Sequence, residues 1–547
     1  MILVALTLAA LWGASAPAPL QSTLPGPPAP PLLSAAGAHI EALYDAWQFA
    51  EADQALAALA TTLPGAAEVS YLQGYQSFLK GDYDAATSKL HSARTAHPEN
   101  RNLEGLYALA KAARDAVDGH LEKRSKHFRL RFPPEDELIA AYALETLESA
   151  AAQLETDLGF VPVHPVTVDI YRGAADLAAV SPLSEAEVER TGTIALCKWA
   201  RLMVTSPRAL RFGYPWMDTL SHELVHYAVS SLTRDQAPVW LQEGLAKFLE
   251  SRWRRAPGEA LAPSSEHLLA KALASNKLIT FEAMHPSMAK LPRAEDAALA
   301  FAEVATAVAF LFDEGGMPAV RNAVEAVGRG TDARDAVANA LGLPWAKFDK
   351  RWRAYMKSRN FKTYPHLDPV TRSFRTKAAL AAKRAPSEDE ALGDLGELGK
   401  DRAERYLRLG NMLLLRDRPR AAALEYDRGA KLAGPGHWLF PVKLGRTYLA
   451  LNEPDKALEA LGELRKLYPE LPWPHLIAGQ ALLKKGDAEA ARLALEASLA
   501  NNPFDPELHC ALAAAYGKLA TGDELWTARR DRAGSACNDM GAKRPAP

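Results

Sequence analysis

The stretch TLSHELVHYAVS (219–230) places two histidines four residues apart, with a glutamate directly after the first, in an otherwise apolar run. Helical side chains four residues apart share a face, so the imidazoles of His222 and His226 can reach one cation. Glu223 lies about 100° further round the helix, where it can touch water beside the cation without binding the cation itself. The motif is short, and roughly one or two chains in a hundred of this length would contain it by chance. Whether the motif marks a cation site therefore depends on the sequence around it.

A second apolar-faced helix is predicted at VWLQEGLAKFLE (239–250), directly after Pro238. Catalytic zinc sites use three protein ligands and leave one position open for water. Glu243 lies 17 residues beyond His226, which leaves room for the first helix to end and for the chain to reverse. The spacing predicts a ligand set of His222, His226 and Glu243 with an open fourth position, as in metal-assisted peptide hydrolysis.

Length and composition describe an ordinary globular chain. The 547 residues are enough for two to four domains, and 48% hydrophobic with 24% charged residues argues against disorder. A formal net charge of −2 gives no electrostatic reason to expect nucleic acid or an anionic membrane surface as a partner. Three cysteines are too few and too scattered for a disulfide framework or a cysteine-based zinc site.

The N-terminus has some features of an export signal. Residues 1–16 contain an apolar stretch followed by Ala14-Ser15-Ala16, a small-residue cleavage pattern. Against this, no Lys or Arg precedes Lys80, and Pro17 would follow the cut. A misplaced start codon or a disordered tail is the alternative. We expect export to the periplasm or the medium, and no integral membrane segment, because no stretch approaches the roughly 18 apolar residues of a spanning helix.

A proline-rich linker (17–33) is followed by helical repeats, which we place at residues 34–120. The stretch 67–100 matches the tetratricopeptide pattern along its whole length: Gly74 lies at the close helix contact and Pro98 ends the second helix. A looser repeat precedes it by 34 residues, with Ala52 in phase with Ala86.

The same pattern returns in the C-terminal third, which we place at residues 401–537 after a linker (361–400). The close-contact position recurs at spacings of 35, 34 and 34 residues, at Gly410, Gly445, Gly479 and Ala513. Stacked helical hairpins of this kind bury a continuous core and leave a concave face that binds proteins or peptides. The alternative is that the repeats are a purely structural spacer that holds the middle domain.

Residues 125–360 contain predicted strands as well as helices, unlike the repeats on either side. KHFRLRF (126–132) and PVTVDIY (165–171) read as strands, and TGTIALC (191–197) with RLMVTS (201–206) as an antiparallel hairpin. A helix is predicted from Glu135 to Leu158, and helical periodicity dominates after Trp216. The basic run before the first strand reads as a solvated linker. A small sheet followed by helices predicts an α+β domain.

HELVH followed by WLQEGLA resembles the gluzincin metallopeptidases, and most closely the peptidase MA-like domains that occur beside tetratricopeptide repeats. The resemblance covers about residues 125–360. It implies an α+β zincin-like metallopeptidase domain between all-α repeat arrays, with Zn2+ bound by His222, His226 and Glu243, and with Glu223 as the catalytic base. It also implies that a strand at 194–197 or 201–204 holds the substrate along its edge.

The sequence departs from the family pattern at one position. Related domains often carry a tyrosine on a later helix as a donor to the transition state, and Phe301 stands there in ALAFAEVATAVAFL (298–311). Phenylalanine cannot donate a hydrogen bond. His285, Tyr214 and His267 are candidate substitutes without a defined placement, so the transition-state donor stays unassigned.

Four further residues have roles that the sequence leaves open. Glu250 and Asp218 are candidates for orienting the ligating histidines, or are solvated helix charges. Cys197 reads as a small buried hydrophobe rather than a reactive thiol. Cys510 falls early in the first helix of the last repeat and Cys537 just past its second helix; antiparallel helices bring these points together, which allows a disulfide in an exported protein.

Two functions follow from this reading. The first is an exported zinc-dependent metallopeptidase whose repeats bind protein substrates or partner proteins. The second is a catalytically degenerate scaffold in which the repeats mediate protein–protein interaction. A purely structural zinc site fits poorly, because such sites are normally closed by four protein ligands and no fourth is visible.

Overall fold

The computed structural model describes residues 32–257, 261–284, 288, 291–364, 367, 373–381, 402–434, 437–520 and 523–540. Within them, helical hairpins at both ends of the chain flank a central region that contains one small sheet. The predicted signal peptide and most of the proline-rich linker lie outside the described residues.

The N-terminal repeats consist of two helical hairpins and one further helix. Gly74 packs so closely on the next helix that a Cβ there would lie 2.6 Å from Leu90 Cγ, and Ala86 and Ala93 are fully buried. The predicted close contacts are confirmed. The helices are α1 (Ala35–Asp45), α2 (Phe49–Thr62), α3 (Ala67–Leu79), α4 (Tyr83–Ala96) and α5 (Arg101–Ala116).

The central sheet has five strands in the order β1-β2-β3-β5-β4. The pairs β1–β2 and β5–β4 are antiparallel, whereas β2–β3 and β3–β5 are parallel, so the sheet is mixed. The strands are β1 (Leu121–Arg124), β2 (Phe128–Phe132), β3 (Val166–Tyr171), β4 (Ala195–Lys198) and β5 (Arg201–Thr205).

Two sequence expectations about the sheet need correction. The basic run that was read as a solvated linker contains β1, an exposed strand that pairs with β2. Its charged side chains remain in solvent while its backbone forms the ladder, so side-chain polarity concealed the strand. In addition, β5 lies between β3 and β4, so residues 201–204 cannot offer a free edge; β4 is the terminal strand.

Helices cover the sheet and complete the central region. The predicted long helix is α6, and α9 and α10 carry the two motifs. A kink at Gly316, followed by Pro318, divides α12. The helices are α6 (Glu137–Leu158), α7 (Ala174–Ala179), α8 (Glu185–Thr191), α9 (Trp216–Thr233), α10 (Val239–Leu249), α11 (Pro263–Ser275), α12 (Ala294–Gly328), α13 (Ala333–Asn339) and α14 (Trp345–Ser358).

Parts of the predicted linker 361–400 are folded against the central region. Tyr364 donates its hydroxyl to Glu266 of α11, and Phe374 pairs with Leu210 in an isolated antiparallel bridge. A short helix, α15 (Lys377–Ala381), follows. The described portion of this segment is therefore not a freely extended linker.

The C-terminal repeats are four helical hairpins in register. Gly410, Gly445 and Gly479 each meet a side chain of the following helix within 3 Å of a virtual Cβ, as the repeat pattern predicts. Their helices are α16 (Arg402–Leu415), α17 (Pro419–Ala433), α18 (Leu439–Ala450), α19 (Pro454–Leu467), α20 (Pro472–Lys485), α21 (Ala488–Leu499), α22 (Pro506–Leu519) and α23 (Glu524–Asp539).

A disulfide joins Cys510 of α22 to Cys537 of α23. The sequence reading placed Cys537 just past the second helix of the last repeat, whereas the structure places it in the last turn of α23. The bond closes the last hairpin, and Cys197 is the remaining cysteine, buried and free.

The N-terminal repeats dock on the sheet through a buried polar network. Tyr83 of α4 donates its hydroxyl to Asp169 and accepts from Arg201 Nη1 at 2.7 Å, while Arg131 pairs with Asp169 at 2.7 Å. The Arg201 guanidinium lies 4.5 Å from the ring centroid of Phe78, so cation–π contact compensates part of its lost hydration. The repeats and the sheet therefore share one core.

Among the described residues, no helix combines the length and apolar character needed to cross a bilayer.

Candidate metal centre

Helix α9 is a core helix rather than an amphipathic surface helix. Leu220, Leu224 and Ala228 are fully buried, and its polar residues His222 and Glu223 are 0% exposed. A helix that is buried on every face must satisfy its polar groups internally. The buried polar side chains of His222, Glu223 and His226 therefore each need a specific partner.

Helix α10 brings the third side chain to this point. Trp240 packs on Phe281 with ring centroids 4.8 Å apart, which anchors the start of the helix. Gly244 lies against α12, where a Cβ would stand 2.9 Å from Val304 O. The glycine after Glu243 thus permits the close helix contact that fixes the depth of Glu243, which is 0% exposed.

Three side-chain atoms converge between α9 and α10. The Nε2 atoms of His222 and His226 lie 3.1 Å apart, and Glu243 Oε2 lies 3.5 Å from each. Zinc–ligand bonds of 2.0–2.1 Å at tetrahedral angles would separate neighbouring ligand atoms by about 3.3 Å. The described part of the chain contains no other group of three or more such residues close enough to hold an ion.

Hydrogen bonds determine which nitrogen of His226 carries the proton. Ser230 donates its hydroxyl to Asp235 at 2.8 Å, so its oxygen accepts from Gln242 Nε2 at 3.1 Å. This orients Gln242 Oε1 toward His226 Nδ1, 3.2 Å away, and an amide oxygen can only accept. His226 Nδ1 is therefore the donor, and its Nε2 presents a lone pair to the convergence point.

His222 is oriented by a charged partner. Its Nδ1 lies 3.1 Å from Glu250 Oε2, and Lys247 donates to the other oxygen of Glu250. A carboxylate accepts the Nδ1–H, which leaves the Nε2 lone pair free to face His226 and Glu243. Of the two candidates for this role, Glu250 makes the contact. Asp218 instead accepts from Trp253 at 2.9 Å and from Arg254.

The donor set fits a divalent cation. Two imidazole lone pairs and a carboxylate that point at one another repel, unless a positive charge lies between them. Both carboxylate oxygens of Glu243 are buried without a hydrogen-bond partner in the part of the chain that the structure describes. At 3.5 Å the contacts to the histidines are too long for normal hydrogen bonds. Two nitrogens and one carboxylate oxygen with an open position suit zinc.

The pKa values of His222 and Glu243 reflect how closely their side chains are buried together. Burial opposes the charged form of His222, but the nearby Glu243 carboxylate and the hydrogen bond to Glu250 outweigh it and raise its pKa to about 9. Burial works against the ionised form of Glu243, yet the neighbouring histidines lower its pKa below the usual value. In the absence of a cation, protons fill the place that a cation would take.

Glu223 lies beside the convergence point without joining it. Burial raises its pKa above the usual value, against the opposing effect of His226 and His222. Among the described residues, neither of its oxygens has a hydrogen-bond partner; the Cys197 main-chain N–H lies near enough to lower the pKa but not to form a hydrogen bond. A buried carboxylate with both oxygens unpartnered is equipped to accept a proton from a molecule that enters the site.

The candidate transition-state donors do not reach this point in the described structure. Phe301 is buried in α12, and Tyr214 donates its hydroxyl to Thr205 O. His267 Nδ1 accepts from the main-chain N–H of Tyr364 at 2.8 Å. His285 lies outside the described residues. The structure therefore assigns no donor among the described candidates.

Cys197 behaves as a buried apolar residue. It lies in β4, is 8% exposed, and burial raises the pKa of its thiol well above the usual value. A protonated, enclosed thiol is a poor nucleophile.

A polar cavity of about 750 Å³ lies away from these ligands, where α4 and α5 meet β2. The arginines that line it are already paired: Arg129 with Asp82, Arg114 with Asp115, and Arg131 with Asp169. The lining carries four aspartates and three arginines, so its charge is mixed rather than strongly of one sign.

Comparison with known proteins agrees with the geometry. Residues 146–358 match the sequence model of the Peptidase MA superfamily, and residues 442–470 match that of the tetratricopeptide repeat. The chain thus carries a domain of the Peptidase MA superfamily followed by a tetratricopeptide repeat, as the sequence resemblance predicted. No curated protein matches the chain.

Two features of the site were missed by the sequence analysis. Gln242 orients His226, and the relay through Ser230 and Asp235 fixes the Gln242 amide. The available signal was a polar residue directly before Glu243 in an otherwise apolar helix.

Proposed function

We propose that this protein is a zinc-dependent metallopeptidase of the gluzincin type, with a zincin-like catalytic domain at about residues 125–360. The observation that carries the proposal is the convergence of His222 Nε2, His226 Nε2 and Glu243 Oε2 within 3.5 Å of one another, fully buried. We assign these three side chains as ligands of Zn2+ and Glu223 as the general base.

When bound, a zinc ion supplies Lewis acidity toward the carbonyl of a peptide bond and lowers the pKa of the water it holds toward about 7. The Glu223 carboxylate would accept a proton from water in the site and pass it to the departing amine, a role that its raised pKa favours. Glu250 and Gln242 hold the two imidazoles so that both Nε2 lone pairs face inward.

The terminal strand β4 is the element that we assign to substrate binding. Thr205 N–H donates to Ile194 O at 2.7 Å, so these two residues form a hydrogen-bonded pair. Along an antiparallel ladder, hydrogen-bonded and non-hydrogen-bonded pairs alternate. The main-chain groups of Ala195 and Cys197 therefore face away from β5, on the side of Glu223. A substrate strand can add there through main-chain hydrogen bonds. The ligands are buried, so a peptide reaches them only after the surrounding elements separate.

The repeats are proposed to bind protein substrates or partner proteins at residues 34–120 and 401–537. Export to the periplasm or the medium is proposed as well, after removal of residues 1–16. The Cys510–Cys537 disulfide supports this location, because such bonds persist in oxidising compartments.

A catalytically degenerate scaffold is the second candidate, and Phe301 is the observation that favours it. Such a protein would keep the ligand set and the repeats but lack a donor for the transition state. Metal binding alone does not separate the two candidates, whereas cleavage of a substrate does.

Zinc stoichiometry measured on the purified full-length chain tests the ligand assignment. The native chain is expected to hold one equivalent, and His226→Ala and Glu243→Ala are expected to lose it. Glu325→Gln, on the exposed part of α12, is the control and should bind as the native chain does. Equal zinc content in all four proteins would overturn the assignment.

A further inference from the structure

The metal-binding helix α9 begins at a contact with the C-terminal repeats. The turn between α21 and α22 approaches the first residues of α9 with its main-chain carbonyls. Tyr214 N–H donates to Asn501 O at 2.9 Å, and Trp216 N–H is shared between Ala500 O at 3.1 Å and Tyr214 O at 2.6 Å. The indole Nε1–H of Trp216 donates to Leu499 O at 3.0 Å.

One of these carbonyls, Ala500 O, satisfies the first amide of α9, that of Trp216. The first amides of a helix lack intrahelical partners and are usually satisfied by a side chain at the N-cap. The N-cap of α9 is Pro215, which supplies no such bond, and the helical ladder starts only with Thr219 N–H to Pro215 O. The start of α9 is therefore held by a distant part of the chain: Ala500 O accepts from the Trp216 main-chain N–H, and Leu499, 283 residues beyond Trp216, accepts from its indole.

The contact is tight and is held from both sides. Gly213 has φ +69°, and a Cβ there would lie 2.2 Å from Asn501 O. The Asn501 side-chain amide donates to Ala497 O at 2.9 Å and to Pro469 O at 3.3 Å, which fixes the turn within the repeats. Beside it, the Phe504 ring packs under Arg208 at 3.9 Å.

We propose that this turn of the C-terminal repeats positions α9, and with it His222 and Glu223, so that the repeats are a structural part of the metal site. Trp216 precedes His222 by six residues, about 9 Å along the helix axis. A shift of the first turn therefore displaces the ligand and the base together. The role goes beyond partner binding, and in its metal component it rests on the proposed function.

The test compares two glycine substitutions in the full-length chain. Gly213→Ala places a methyl group against Asn501 O. Gly486→Ala, in the C-terminal repeats, changes a glycine of similar φ, +85°, where an added Cβ would have no atom within 4 Å. Both substitutions place alanine at a positive φ, so the difference between them reports chiefly the contact. Zn2+ affinity is measured by competition with a chelator, and backbone amide exchange is measured across α9.

Gly213→Ala is expected to bind Zn2+ about tenfold more weakly than the native chain, with faster exchange of the Trp216 amide. Gly486→Ala is expected to match the native chain in both. Equal affinity and equal exchange in the two variants would overturn the inference. If Gly213→Ala does not fold, Trp216→Phe removes the indole donor to Leu499 O together with part of the buried ring, and the same criteria apply.

A native chain that binds no Zn2+ would refute the proposed function rather than this inference. In that case the positioning role is tested by amide exchange alone. Loss of protection from Trp216 to His222 in Gly213→Ala but not in Gly486→Ala supports the positioning role, and unchanged protection overturns it.

Discussion

Gln242 Oε1 lies 3.2 Å from His226 Nδ1, and its amide is held in that orientation by Ser230. The pair matters because a metal-binding imidazole must keep its proton on the nitrogen that faces away from the metal. In the proposed site these sequence neighbours have different roles: Glu243 is the assigned metal ligand, and Gln242 orients the His226 ring.

Replacing Gln242 by leucine is expected to weaken Zn2+ binding by about 10–100-fold, because His226 Nδ1–H loses its acceptor and the ring can turn. Chelator competition measures the affinity. Gln236→Leu, an exposed glutamine in the loop before α10, serves as the matched control and should bind normally. Equal affinities would show that the Gln242 contact does not orient the ring.

Glu303 should make stability depend on pH. Its side chain is fully buried in α12 and accepts from Ile279 N–H at 2.9 Å, and burial raises its pKa from 4.5 to about 8. Between these values the folded chain retains a proton that the unfolded chain has released. Stability therefore falls as pH rises through this window, by about 1.4 kcal/mol per pH unit from this group.

Glu303→Gln removes that titration. Its melting temperature, relative to the native chain, is expected to rise between pH 5 and pH 8, whereas the exposed control Glu325→Gln should show no such trend. A constant difference between Glu303→Gln and the native chain at all pH values would contradict the assignment.

Tyr83→Phe is expected to loosen the N-terminal repeats. The hydroxyl joins Arg201 to Asp169 in a buried network, and within the described structure Arg201 Nε and Nη2 have no hydrogen-bond partner to compensate. Leaving a further buried donor unpaired costs about 1–3 kcal/mol. Hydrogen exchange of residues 34–120 should quicken. Tyr355→Phe, whose hydroxyl bonds Asp313 at an exposed position, is the control and should leave exchange unchanged.

The disulfide predicts the number of reactive thiols. Denatured without reductant, the chain should show one free thiol, that of Cys197, and after reduction it should show all three. Three thiols before reduction would rule out the Cys510–Cys537 bond in the protein as prepared. Cys510→Ser should lower the stability of the last hairpin, by about 2–4 kcal/mol for a loop of this size.

Local patterns made much of the architecture predictable. The apolar periodicity around His222 and around Glu243 marked α9 and α10, and the glycine spacing marked the C-terminal hairpins. Spacing of four residues on one helix brought His222 and His226 to one face, so their convergence followed from helix geometry alone.

Features that depend on distant partners were not predictable. Three of the four residues of strand β1 are charged, and only its pairing with β2 makes it a strand. The hydrogen bonds that Ala500 and Asn501 accept from Trp216 and Tyr214 depend on how the last repeats fold back on the central region, which no local pattern encodes. The choice of Glu250 over Asp218 likewise depends on the angle between two helices.

The most direct test of the account compares the native full-length chain with Glu223→Gln for both bound zinc and cleavage of casein. The variant removes a proton acceptor that is not a ligand, so we predict equal zinc content and a loss of cleavage of at least about a hundredfold. Glu325→Gln should match the native chain in both. Zinc bound in all three proteins with no cleavage by any would contradict the peptidase account and favour the scaffold, and a native chain without zinc would contradict both.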